Sequence, residues 1–134
     1  MHHLTQYLIL PFLITFFSLL IWPSLDIWDI LVVVFFGSVL PDVDHINIWL
    51  EYKFKDFKSF IKFATKTRRY RYSFLIFHNV AAMLIILMLI PIVNLLEPLG
   101  SIFLIAFLFH LILDFFDDKL SIGRVTHWRY RRKT

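Results

Sequence analysis

The sequence predicts an all-α integral membrane protein, a four-helix bundle with an amphipathic interfacial helix in its cytoplasmic loop. Three observations predict it. Four apolar stretches approach membrane-spanning length, the cations are completely segregated, and His and Asp residues recur at one end of the apolar stretches.

Of the 134 residues 59% are hydrophobic, with 16 Phe and only 3 Gly. Soluble domains are about 45–50% apolar, so the polar surface needed to cover a soluble globule is missing. The length suits one domain, residues 1–134. There is no Cys, hence no disulfide and no thiolate ligand, and any metal must be held by His, Asp, Glu or Asn. The N-terminus lacks a Lys/Arg region and a small-residue cleavage site, so it reads as native sequence rather than a cleaved signal.

A spanning helix needs about 20 mostly apolar residues. The first span is expected at about 7–25, without charge, and the second at about 27–40, short and carrying Asp29. The third is expected at about 74–96, with Pro91 inside it, and the fourth at about 99–116. Pro23 and Ser24 mark one tight link; Pro98 and Gly100 mark the other. Tight links favour antiparallel neighbours, so the helices pair as two hairpins.

All 14 Lys and Arg lie in two stretches, a loop at 46–73 and a tail at 119–134. The tight links carry Asp26, Asp29 and Glu97 but no cation. The positive-inside rule places the loop and the C-terminus in the cytoplasm, and four spans return the N-terminus to the same side. Trp49, Leu50, Phe54, Phe57, Phe60, Ile61 and Ala64 fall within an arc of about 140° on a helical wheel, opposite Glu51, Lys55, Lys58 and Lys62. An amphipathic helix over 48–64, lying on the inner leaflet, is expected. Membrane lipids are therefore the expected partner. Nucleic acid is not, since the cations hug the spans and no nucleic-acid motif accompanies them.

The chemistry rests on polar residues at the cytoplasmic ends of the spans. His2 and His3 open the first, Asp42, Asp44 and His45 follow the second, and His78 lies about one turn into the third. His110 and Asp114 fall within two turns of the mouth of the fourth. Ionisable residues at membrane depth are expensive and mark function when partners converge. His110 and Asp114, at i and i+4, share a helix face. Pro41 is expected to push Leu40 out of α geometry, making the Pro41–His45 run a turn that aims its carboxylates and imidazole together. Asn79 is left open between ligand, supporting and packing roles. Imidazole and carboxylate without thiolate suit zinc, and also iron or manganese, as one or two ions. Such a site activates water for phosphoester cleavage, and its depth suggests a lipid phosphoester. Asp42 or Asp117 is the candidate proton acceptor. Arg71 and Arg124 are the candidate phosphate ligands, because guanidinium meets phosphate bidentately. A transporter would need polar residues through to the outer face, where little is offered beyond Asn94 and Ser18.

The run Leu40-Pro41-Asp42-Val43-Asp44-His45, an N-terminal His, His78 and the His110/Asp114 pair together resemble the YdjM-like family of small inner-membrane proteins. The resemblance covers nearly the whole chain. It implies four apolar segments, divalent-metal ligation by these residues, and metal-dependent hydrolysis. Members carry an H-R-G-x-T-H-S run at the third segment. Here Ser73-Phe74-Leu75-Ile76-Phe77-His78-Asn79 keeps only His78. That departure favours an alternative, a non-catalytic metal-stabilised subunit or adaptor.

Overall fold

The computed structural model describes residues 2–60 and 75–122, residues 2–8 as backbone only. Among the described residues five bounded α-helices and one 3-10 run occur, a further helical turn opens at 57–60, and there is no strand. The bounded elements are α1 (His2–Ile21), α2 (Ile27–Val39), the 3-10 run (Leu40–His45), α3 (Ile46–Tyr52), α4 (Val80–Leu96) and α5 (Pro98–Ile122). The structure is all-helical, as expected.

Local signals set the boundaries. Asp26 caps α2 by accepting the Trp28 N–H at 2.7 Å, which satisfies one of the helix's orphan donors. Pro98 opens α5, where its missing N–H would be unpaired in any case. Ser101 ties the α4–α5 hairpin together, its Oγ lying 3.1 Å from Asn94 Oδ1 and 2.8 Å from the Pro98 carbonyl. Asn94 is thus occupied in a turn contact.

Three expectations are corrected. The third helix begins at Val80 rather than near 74, because Asn79 takes the cap position and accepts the Ala82 N–H at 2.8 Å. His78 therefore precedes the helix instead of lying one turn inside it. Leu40 keeps right-handed helical geometry, φ −60 and ψ −34. Pro41 lacks the N–H that would continue the α ladder, and the winding tightens to 3-10 rather than leaving the helix. Finally, no single helix runs over 48–64. The described chain leaves α3 at Lys53, φ 52 and ψ 47, in the left-handed region. The bend folds the apolar face onto itself: the Trp49 ring lies 5.2 Å from Phe60 and stacks at 6.1 Å on Phe57, while Phe54 meets Phe60 at 5.7 Å. Asp56 then accepts from the Ser59 N–H and hydroxyl at 2.7 and 2.8 Å, capping the turn that carries Phe60. A straight wheel has no way to represent that closure. Residues 61–74 lie outside the described residues.

α5 is the spine. One side, through Ile102 and Ala106, packs with Ile14 of α1 and Ile30 and Val34 of α2. The other, through Phe107, Leu108 and Leu111, packs on Ile86 of α4. Among the described residues only Pro98–Asp117 is a helix long and apolar enough to cross a membrane; Ile9–Ile21 and Val80–Leu96 are shorter apolar helices. The outward faces of α1 and α4 expose Phe12, Phe16, Phe17, Leu84, Ile85 and Met88. Soluble monomers rarely expose contiguous apolar patches of that kind.

Gly37 sets how closely α2 approaches the spine. A Cβ there would stand 2.6 Å from the Phe103 carbonyl oxygen and 2.9 Å from Ala106 Cβ. Backbone cannot yield as a flexible side chain does. Gly37→Ala should lower stability by about 1–3 kcal/mol, read as a reduced thermal midpoint of the detergent-solubilised protein.

Candidate metal centre

Three chain segments bring the polar residues together: the 3-10 run, the bent stretch before α4, where the Asn79 N–H donates to the Phe77 carbonyl at 2.8 Å, and the C-terminal half of α5. A 3-10 helix has about three residues per turn, so Asp42 and His45 share a face, His45 Nδ1 lying 3.5 Å from Asp42 Oδ1. Asp44 points inward and its side chain is 1% exposed. On α5 the i,i+4 spacing puts His110 Nε2 3.3 Å from Asp114 Oδ2.

His78 joins the segments. Its Nδ1 lies 3.0 Å from Asp44 Oδ1, and its Nε2 lies 3.1 Å from Asp114 Oδ2. Asp44 Oδ2 also accepts the Phe77 N–H at 2.9 Å and faces the His78 N–H at 3.4 Å. These backbone contacts were not foreseen from the sequence, which carries no signal for them. Across the site His110 Nε2 stands 3.6 Å from Asp42 Oδ1, and His45 Nδ1 stands 3.4 Å from Asp44 Oδ1.

Two groups of donor atoms lie within metal-ligating reach. Asp42, His78, His110 and Asp114 each offer one atom, all within 4.8 Å of one another; Asp44, His45 and His78 do the same. The donor chemistry fits a divalent ion: two imidazole nitrogens and two carboxylates suit zinc, iron or manganese. Asp42 and Asp114 are the open members, 38% and 22% exposed, whereas His78 and His110 are buried. Six of the sequence-named residues are thus gathered. Asn79 is resolved as a helix cap. Asp117 lies on α5 three residues past Asp114 and belongs to neither group. The side chains of His2 and His3, like Arg71 and Arg124, lie outside the described residues.

The residues of the cluster shift one another's acidities. Burial lowers the His78 pKa, but hydrogen bonds to Asp114 and Asp44 override it and raise it to about 9. At Asp42 burial pushes upward, yet the adjacent His110, with His45, holds the carboxyl below its ordinary value. His45 goes the other way: burial, then the charge of His78, depress it.

The fold and site define a class, an all-helical protein with a lipid-compatible exterior and a buried His/Asp centre. The chain belongs to the YdjM inner membrane protein family, whose model matches residues 1–120. No curated protein and no solved structure matches it.

A pH dependence follows. The folded-state pKa of His78 lies above the ordinary value of 6.5, so its stabilising contribution is complete below about pH 6.5 and is lost as pH rises through about 9. Thermal melts in chelator should fall across that window, and His78→Gln should flatten the fall.

Proposed function

We propose that the protein is a membrane-embedded, metal-dependent hydrolase of a phosphate ester at the cytoplasmic face of the inner membrane. The observation that carries the reading is the convergence of Asp42, His78, His110 and Asp114, from three separate segments, onto donor atoms within 4.8 Å. A divalent ion held there, zinc first, would acidify a water and polarise a phosphoryl oxygen. The protein's own residues supply the rest. His78 and His110 present Nε2 into the site and, being buried, keep bulk water from the donor shell. Asp42, the most exposed of the four, is the proposed proton acceptor, with Asp117 the second choice. Arg71 and Arg124 are proposed to hold the phosphate, and His2 or His3 to close the shell. The phosphoester is proposed to be a lipid's, since the site would open at headgroup level.

The proposed topology has four crossings with both termini and the basic loop inside. Family membership supports the membrane setting, and the cation distribution supports the direction. The aromatic knob around Trp49, flanked by Lys53, Lys55 and Lys58, is proposed to rest on anionic headgroups. The second reading, a metal-stabilised subunit without turnover, is favoured by the single His surviving in the third-segment run.

Two measurements test this. Purified wild-type protein should carry a divalent metal by elemental analysis and hydrolyse a phosphoester lipid. In an Asp42→Ala/His110→Ala double variant both should drop to background; undiminished hydrolysis would sink the mechanism, and bound metal without turnover would favour the subunit. For topology, Cys placed at Ser24 should react with a thiol reagent that cannot cross the inner membrane when it is added to intact cells, and Cys placed at Lys55 only after the inner membrane is opened.

A further inference from the structure

The two donor groups share His78, and that overlap limits what the centre can hold. A neutral imidazole has one lone pair for a metal, its other nitrogen being protonated. His78 turns Nδ1 to Asp44 and Nε2 toward Asp114 and His110. Both groups could be filled together only through a doubly deprotonated, bridging imidazolate. Asp44 argues against that state. Its carboxylate is buried, and one oxygen is already engaged by the Phe77 N–H, leaving the other 3.0 Å from His78 Nδ1 as the acceptor for a ring proton.

Resting on the metal reading above, we propose that the centre binds one ion rather than two. His78 Nε2, His110 Nε2 and Asp114 are its ligands, and Asp42, 3.6 Å from His110 Nε2, stays unliganded beside the open position. Asp44 is a positioning residue: it accepts the His78 Nδ1 proton, fixes the tautomer and aims Nε2 into the shell, the carboxylate–histidine–metal arrangement that makes the ligating nitrogen more basic. The backbone N–H of Phe77 holds Asp44 in turn, so the stretch before α4 carries both the ligand and the grip on its orienting carboxylate. His45 Nδ1 stands 3.5 Å from Asp42 and 3.4 Å from Asp44, outside the proposed shell.

Detergent-purified protein, loaded with zinc and desalted, should hold one equivalent by elemental analysis. Asp44→Asn should still take up one equivalent at saturation, with affinity weakened about 10–100-fold. Loaded with cobalt(II), Asp44→Asn should keep the wild-type ligand-field band positions, because the ligands are unchanged, whereas Asp114→Ala should shift or abolish them. Circular dichroism and gel filtration identify variants that fold. Two equivalents in wild type, or cobalt bands in Asp44→Asn that move as they do in Asp114→Ala, overturn the assignment while leaving a metal centre in place. No metal in wild type after loading overturns the metal reading itself, and this inference with it.

Discussion

The bridge made by His78 is the constraint on which the polar half of the molecule depends. Its two ring nitrogens reach carboxylates on different elements, Asp44 of the 3-10 run and Asp114 of α5, 3.0 and 3.1 Å away. A buried ionisable ring is tolerable only when its polar atoms are satisfied, and here each is answered by an acceptor of opposite charge. Removing either partner would leave the other buried without compensation, which costs far more than the pair contributes in net terms. The stretch before α4, the end of α2 and the end of α5 are locked to one another through a single side chain.

Everything around that bridge serves to hold the three segments in register. α5 contacts α1 and α2 on one side and α4 on the other, so its His110/Asp114 face is presented at a depth set by apolar packing. Gly37 lets α2 lie against the Phe103–Ala106 stretch of α5, and the 3-10 run that continues α2 then arrives beside His110. The Asn79 cap stops α4 two residues short of His78, freeing the backbone before it to donate to Asp44. A helix begun near 74 would have spent the Phe77 N–H within its own ladder.

The donor atoms of the centre suit either protons or a cation. With two carboxylates and two imidazoles so close, the charges balance either by protonated histidines or by a divalent ion that displaces those protons. Family membership sets this arrangement in an inner membrane protein. Trp49, Phe54 and Phe60 cluster with Leu75, two residues ahead of Phe77, and so link the basic loop to the grip on Asp44.

By itself the sequence determined the helical class, the apolar exterior, the segregation of charge and most of the donor residues, because these follow from composition and from i,i+4 spacing along one helix. Asn79 was legible as polar but not as a cap, since the choice depended on where α4 begins. Only the tertiary structure decided that Pro41 tightens the helix rather than ending it, that the loop bends at Lys53 so its aromatic residues meet, and that His78 faces two carboxylates at once. The physical reason is the same in each case. Local propensity ranks conformations that differ by about 1 kcal/mol or less per residue, and contacts between segments distant in sequence, such as Asp44 with His78, are what select among them.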